Sequence, residues 1–193
     1  MVNALQIVLH AAAVSAAAIQ SCGAAKPSSS FKLVAELVVN SQVKPLSVHG
    51  TEIGFTATQS CAANLSLVAA GQGHVFYNTG SSTETTQLPS HSAAGITVVP
   101  GGTATIPAIK AVTVECGHGT TEVVVNDQGY LHFGQNQSGW MACPNYESAS
   151  TLTLMYRADG QRRLDYCAEI KLRAVCCDGD SVSGSVATHC SPQ

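Results

Sequence analysis

Apolar and polar residues alternate over short runs from residue 31 onward, and these runs are rich in β-branched side chains. Typical runs are FKLVAELVV at 31–39, AVTVEC at 111–116 and TLTLMY at 151–156. Glycine, proline, asparagine and aspartate separate them, as in the PGG of residues 100–102. About a dozen such runs, with turn signals roughly every 8–12 residues, are typical of an all-β domain. The pattern therefore predicts an antiparallel β-sandwich over residues 31–177.

The alternation also predicts the core, because side chains two residues apart in a strand share a face of the sheet. The predicted core residues are Val34, Leu65, Leu67, Val112, Val114, Val123, Val125, Leu152, Leu154, Ile170 and Leu172. Only AEIKLRAVC at 168–176 is ambiguous between helix and strand, so no helix is predicted. The Ser/Thr-rich residues 79–94 are predicted to form a polar loop.

One stretch, CGHGT at 116–120, combines a thiol and an imidazole between glycines. In the preceding run Val112, Val114 and Cys116 share the apolar face, so the sulfur is expected to point towards the core. The β-like run TEVVV follows at once, which predicts that residues 117–120 form a hairpin loop with His118 in water at its tip. This arrangement favours a disulfide plus a turn; a metal corner or a nucleophile–base pair is the alternative.

Both ends of the chain differ from the middle. Residues 1–18, MVNALQIVLHAAAVSAAA, have the apolar, small-residue character of a secretory signal, with cleavage after Ala18 or as late as Ala25. A short alanine-rich helix of an intracellular protein is the alternative; a transmembrane helix would need about 20 predominantly apolar residues. Residues 19–30 are predicted to be a linker, and residues 178–193 a flexible C-terminal tail.

The cysteines support export. Eight cysteines occur without any CxxC pair, which indicates long-range disulfides rather than a zinc or thioredoxin-like site. The sandwich is therefore expected to be stapled by disulfides, whose candidates are Cys61, Cys116, Cys143, Cys167, Cys176, Cys177 and Cys190. Their connectivity is open, and the survival of Cys22 depends on the cleavage point. Asn64 and Asn136 lie in Asn-X-Ser acceptor sequences, so the sequence predicts a secreted, extracellular glycoprotein.

The charge pattern excludes some function classes. Only 11% of residues are charged, the net charge is −3, and no basic run exceeds Arg162-Arg163, which argues against nucleic-acid binding. No nucleophile elbow, HExxH, P-loop or complete GxGxxG is present. No catalytic residue, metal site or cofactor is therefore predicted. His74 and His132 lie in strand-like runs and could converge across a sheet, but an ordinary strand histidine is the favoured interpretation.

Candidate ligand contacts are restricted to two aromatic side chains. Trp140 and Tyr146 flank Cys143 in SGWMACPNY at 138–146, where a rigid loop could present them to a sugar. Packing of the single tryptophan in the core is the favoured interpretation for Trp140.

The chain resembles small, secreted, cysteine-containing proteins of filamentous fungi that carry an uncharacterised domain. The resemblance rests on the N-terminal signal and on the segments FKLVAELV, PGGTATIP, VECGHGT, WMACP and YCAEIKLRAVCC, and covers residues 31–177. The resemblance has implications for the compartment and the fold of this chain, but it implies no activity. The expected function is a non-enzymatic extracellular binding or cell-surface module whose partner is a cell-wall glycan or an extracellular protein. A secreted carbohydrate-active hydrolase is the alternative.

Overall fold

The structure, a computed structural model, describes residues 28–38, 52–56, 61–88, 93–99, 101–107, 109–135, 139–145, 148–177 and 182–191. The predicted signal, most of the predicted linker, Tyr146 and Asn136 lie outside these residues.

Strands form all the regular structure within these ranges, which confirms the all-β prediction. They are β1 (Phe31–Leu37), β2 (Glu52–Gly54), β3 (Ala62–Asn64), β4 (Ser66–Val68), β5 (Val75–Asn78), β6 (Thr83–Thr85), β7 (Ala94–Thr97), β8 (Thr113–Cys116), β9 (Val123–Val125), β10 (Leu131–Phe133), β11 (Trp140–Asn145), β12 (Ser148–Tyr156) and β13 (Ala168–Cys176). No helix long and apolar enough to cross a bilayer occurs in the part of the chain that the structure describes.

Six antiparallel strands close into a barrel in the order β1, β2, β4, β12, β11 and β13. The closure is the pairing of β1 with β13, which runs from Phe31↔Cys176 to Leu37↔Ile170. The sequence predicted a sandwich of two sheets, and the barrel corrects that prediction. The alternation shows which side of a strand is apolar, but it does not show that the first and last strands of the domain pair with each other.

A second group of strands, β5, β6, β7, β8 and β3, continues the sheet from β1, and we call it the side sheet. β1 joins the two parts because its remaining edge pairs with β5 at Phe31 and with β2 at Val34. Beyond β8, β3 leads directly into β4 of the barrel through the buried Leu65. A separate hairpin of β9 and β10 lies next to these strands.

One continuous core runs through the barrel and the side sheet. Most of the predicted core residues are in it, but Val34, Val125 and Leu152 are only partly buried. In β1 the core face carries Phe31, Leu33 and Ala35, so Val34 points to the other face. The run FKLVAEL is apolar at both Leu33 and Val34, and alternation alone could not select between its two faces.

Three disulfides join the described cysteines: Cys61–Cys116, Cys143–Cys167 and Cys176–Cys190. Cys177 is also disulfide-bonded. Each bond typically contributes about 2–4 kcal/mol by restricting the unfolded chain. The prediction that the domain is stapled by disulfides is confirmed.

The end of the chain returns to the domain. Ser28 bridges Thr188, Asn78 bridges Val186, and Val175 bridges Ser191. The Cys176–Cys190 bond fixes the same segment to β13. Residues 182–191, part of the predicted tail, therefore lie against β5 and β13.

An ion pair is buried on the face of β1 opposite the core. Lys32 Nζ lies 3.2 Å from Glu52 Oε2, and both side chains are almost fully buried. The same oxygen accepts a 2.6 Å hydrogen bond from the Gly73 N–H. Beside the pair, the His74 ring stacks on Phe55 with centroids 3.7 Å apart, and its Nδ1 accepts the Phe55 N–H at 3.3 Å. Burial, and secondly the charge of Lys32, lower the pKa of His74 to about 4.

The lowered pKa of His74 predicts that stability falls on mild acidification. An unfolded histidine binds a proton below about pH 6.5, whereas folded His74 stays neutral until the pH approaches about 4. The stability that His74 contributes is therefore complete above pH 6.5 and is lost as the pH falls towards 4, by about 3 kcal/mol at most. We expect urea unfolding to show a smaller loss between pH 6.5 and 5 for His74→Gln than for the wild type. His189→Gln, at an exposed position, should retain the wild-type slope; identical slopes for all three proteins would contradict the prediction.

Candidate functional site

The residues between β8 and β9, which we call the 117–122 segment, do not form the predicted hairpin. β8 pairs with β3 and β7, whereas β9 pairs with β10. The hairpin prediction is therefore wrong. The chain does turn at these glycines, as the sequence predicted. The strand that follows, β9, pairs with β10 and not with β8.

The 117–122 segment is held along β7 by backbone hydrogen bonds. The Gly117 N–H donates to Ala93 O, and the Thr120 N–H donates to Ile96 O, both at 2.9 Å. The Thr120 hydroxyl in turn accepts the Val98 N–H at 2.9 Å. These bonds fix the backbone at Gly117 and at Thr120, and they therefore fix the position of His118 between them.

Two glycines allow this close approach. A methyl group at Gly95 of β7 would lie 2.8 Å from the carbonyl carbon of His118 and closer still to Gly119. A methyl group at Gly119 would lie 2.7 Å from the Ile96 nitrogen. Real Cβ atoms do not approach other heavy atoms this closely, so both positions require glycine.

His118 is thereby placed over a buried carboxylate. Its Nδ1 lies 2.9 Å from Glu84 Oε1, although the His118 side chain is 89% exposed and that of Glu84 only 3%. Glu84 also accepts hydrogen bonds from Ser82 Oγ at 2.9 Å and from the Tyr77 hydroxyl at 3.3 Å. These donors compensate the carboxylate for its loss of water.

The Glu84 carboxylate has two chemical consequences. Burial, and secondly the charge of Glu84, raise the pKa of Tyr77 to about 12, so the Tyr77 hydroxyl remains a donor. An ionised Glu84 accepts the His118 Nδ1–H, which leaves Nε2 as the nitrogen able to take a proton from solvent. A carboxylate that orients an imidazole in this way is half of the arrangement used by histidine general bases. Cys116 is not part of it, because its sulfur is bonded to Cys61.

A cleft of about 360 Å³ adjoins the other end of the 117–122 segment, and we call it the Glu122 cleft. Its volume falls within the range of roughly 300–1,000 Å³ usual for small-molecule sites. Its lining residues are Gly80, Ser81, Thr121, Glu122, Val124, His132, Gly134 and Gln135. The cleft thus combines hydroxyl, amide, carboxylate and imidazole groups with an apolar surface that is larger than the polar one.

Glu122 has an unusual backbone conformation. Its φ is +68°, in the left-handed region that residues other than glycine rarely adopt. The conformation is held on both sides, since the Glu122 N–H donates to Ser81 O at 2.8 Å and its carbonyl accepts the Gly134 N–H at 3.1 Å. Backbone strain at a non-glycine residue is found most often at binding and active sites. Here it occurs at the residue that supplies the carboxylate of the cleft.

His132 on β10 has a defined tautomer. Its Nδ1 is hydrogen-bonded to the Gly134 carbonyl oxygen, which can only accept, so Nδ1 carries the hydrogen. In the neutral ring Nε2 is then an acceptor. His132 and Glu122 therefore both supply acceptors to the cleft lining, while Ser81, Thr121 and Gln135 can also donate.

Trp140 offers no face to a ligand. The residue is fully buried, its Nε1–H donates to Leu131 O at 2.9 Å, and its ring meets Tyr156 edge-on at 5.0 Å. This is the core packing that the sequence favoured for Trp140. Tyr146, the other predicted ligand contact, lies outside the described residues. Asn64 is exposed on β3, and its glycosylation stays a prediction.

The described histidines do not form a metal site. His74 is stacked on Phe55, whereas His132 is bound to Gly134, so the two have different partners. No group of three or more His, Cys, Asp or Glu side chains able to hold a metal ion occurs within the described ranges.

Glu84, His118 and Glu122 were not predicted as site residues. Glu84 lies in the Ser/Thr-rich region predicted to be a polar loop, yet residues 83–85 form the buried strand β6. Glu122 lies in the run TEVVV, which the sequence predicted only to be the strand after the turn. The available signal was local: Gly119, next to His118, marks a close backbone approach, and Gly95 on β7 is its counterpart.

Comparisons with known proteins identify a family but no activity. The family model described as Domain of unknown function (DUF7907) matches residues 28–176. No curated protein and no solved structure matches the chain.

The contact between Gly95 and Gly119 predicts that a methyl group at Gly95 displaces His118 from Glu84. We expect Gly95→Ala to lower the free energy of unfolding by about 1–3 kcal/mol, the usual cost of overpacking. Imidazole NMR should also show that His118 loses its bond to Glu84. Ala70→Ser is the control, because it adds one heavy atom at an exposed turn position. Equal stability of the two variants would contradict the prediction.

Proposed function

We propose that this chain, which belongs to the DUF7907 family, is a secreted, non-enzymatic binding module that holds a hydroxyl-rich ligand in the Glu122 cleft. The ligand class that fits best is a neutral saccharide of a cell wall. Export is supported by the apolar N-terminal stretch and by the three disulfides between described cysteines, which suit an oxidising compartment.

The observation that carries the proposal is the composition of the cleft. Ser81, Thr121 and Gln135 can donate or accept hydrogen bonds, Glu122 adds an acceptor, and His132 Nε2 adds another in the tautomer that carries its hydrogen on Nδ1. Vicinal sugar hydroxyls both donate and accept, so they can satisfy such a mixed set. The Glu122 carboxylate would form the strongest of these bonds, because charge-assisted hydrogen bonds are about twice as strong as neutral ones.

Binding is favoured over glycoside hydrolysis because the cleft holds a single carboxylate. Glycosidases usually place two carboxyl groups about 5–9.5 Å apart across the scissile bond. Among the residues that the structure describes, Glu122 is the one acidic residue that lines the Glu122 cleft. Glu84, the carboxylate beneath His118, is buried and already bound to Tyr77, Ser82 and His118.

A hydrolase is the second candidate, and the Glu84–His118 pair favours it. His118 Nε2 could take a proton from water, with Glu84 fixing the ring. His118 is highly exposed, however, and is not part of the lining of the Glu122 cleft. General-base catalysis also needs a positioned substrate, so we rank the Glu84–His118 pair below the Glu122 cleft as a candidate functional site.

The binding proposal predicts retention on polysaccharide that depends on Glu122. We expect the purified, folded protein to be retained on insoluble chitin or β-glucan, and Glu122→Gln to weaken this retention about tenfold by removing one charge-assisted bond. Glutamine keeps the size of the side chain and does not change the demand for a positive φ. Dissociation constants from depletion isotherms give the comparison.

Asp127→Asn is the matched control, since it removes one negative charge from a fully exposed side chain. Trp140→Ala is unsuitable, because deletion of a fully buried tryptophan would unfold the protein rather than test a contact. Absence of wild-type retention, or equal loss in the Glu122 and Asp127 variants, would refute the binding proposal.

The hydrolase alternative predicts turnover that depends on the Glu84–His118 pair. If it holds, the wild type releases reducing ends from soluble β-glucan or chitin oligomers, and His118→Ala reduces the rate about 10²–10⁴-fold, the usual contribution of a general base. His189→Ala, at an exposed histidine, should leave the rate unchanged. Release by the wild type that survives His118→Ala would exclude His118 as the base, and no release at all would leave the binding module.

A further inference from the structure

A second cleft, of about 400 Å³, lies where the side sheet meets the barrel, and we call it the Asn64 cleft. Its lining residues are Thr56, Ala62, Ala63, Asn64, Ser66, Thr113, Asn145 and Thr151. None of these side chains is charged, and most carry a hydroxyl or an amide. The cleft is therefore polar without a net charge, unlike the Glu122 cleft.

The bend between β3 and β4 forms this cleft. On one side of the bend Asn64 pairs with Thr113 of β8, and on the other Ser66 pairs with Thr153 of β12. Leu65 between them is fully buried, and its N–H donates to Val112 O at 2.9 Å. Because Leu65 points inward, Asn64 and Ser66 on either side of it both face the cleft.

The same bend carries an acceptor sequence for N-linked glycosylation. Asn64-Leu65-Ser66 has the required spacing, and the Asn64 side chain is exposed. In the secretory pathway a transferase moves an oligosaccharide from a lipid diphosphate carrier to such an asparagine. The bond from sugar C1 to the phosphate oxygen breaks, the bond from C1 to Asn64 Nδ2 forms, and Nδ2 loses one proton.

We propose that Asn64 carries an N-linked glycan whose first sugar is bound in the Asn64 cleft instead of projecting into solvent. The inference rests on the proposed extracellular location. The first sugar starts inside the cleft, because Ala62 and Ser66 line it on both sides of Asn64, Thr113 lies on the neighbouring strand, and Thr151 lies on the barrel.

The chemistry of the lining matches an N-acetylglucosamine unit. Its hydroxyls and acetamido group need neutral donors and acceptors, which threonine, serine and asparagine supply. None of the described lining side chains is charged, so none of them would draw an ion into the same space. The volume lies within the range of roughly 300–1,000 Å³ typical of small-molecule sites.

Endoglycosidase digestion of the secreted protein tests the proposal. We expect peptide mass spectrometry to find a glycan at Asn64 that is released about tenfold more slowly from the folded than from the unfolded protein, as one or two net hydrogen bonds would produce. Ala62→Leu fills the cleft beside Asn64 and should accelerate release from the folded protein. Thr56→Val, which removes one hydroxyl group from the lining, should accelerate release by a smaller factor.

Ala70→Leu, on an exposed turn, is the matched control and should leave the rate unchanged. An unmodified Asn64 in protein recovered from the medium overturns the inference while leaving the extracellular location intact. Equal release from folded and unfolded protein overturns it too, as does protection that neither cleft variant reduces. An intact Met1 chain inside the cell overturns both the location and the inference.

Discussion

The pairing of β1 with β13 is the constraint on which the rest of the structure depends. Seven residue pairs join strands from opposite ends of the domain and close the barrel. Such a non-local pairing has a high entropic cost, because a long loop must close before the contacts form. The Cys143–Cys167 bond shortens the loop between the two strands, and the Cys176–Cys190 bond fixes the segment that follows β13.

The candidate site depends on the same strand from its other edge. β1 pairs with β5 at Phe31, and β5 begins the side sheet that leads through β6 to β7. Tyr77 on β5 and Glu84 on β6 form the base on which His118 rests, and β7 holds the 117–122 segment. A rigid scaffold of paired strands thus positions residues of a connecting segment, which is where binding groups are commonly found.

The sequence predicted features that depend on neighbouring residues, such as the positions of strands. It did not predict features that depend on pairing between distant strands, such as the closure of the barrel. Alternation located most strands and placed Leu65, Val114 and Ile170 in the core. It could not choose between Leu33 and Val34, since both are apolar and only the partner strands fix the face. Nor could it find the barrel, because nothing local marks the pairing of β1 with β13.

The same limit applies to the site residues. The CGHGT stretch was identified as a turn, but the partner of His118 is Glu84, which is 34 residues earlier in the chain. Glu122 became visible only through its positive φ, and that conformation is fixed by Ser81 and by Gly134. A single sequence contains no record of these contacts.

The scarcity of charge gives the two clefts their different characters. With 11% charged residues, the chain places Lys32, Glu52 and Glu84 in its interior, where each is compensated by an ion pair or by hydrogen bonds. Few charges then remain for the surface, so hydroxyl and amide groups predominate in the Asn64 cleft and supply three of the described lining residues of the Glu122 cleft. The described lining of the Asn64 cleft carries no charged side chain. The Glu122 cleft contains one carboxylate, and none of its described lining residues is lysine or arginine. A negative charge on this carboxylate disfavours anionic ligands in the Glu122 cleft.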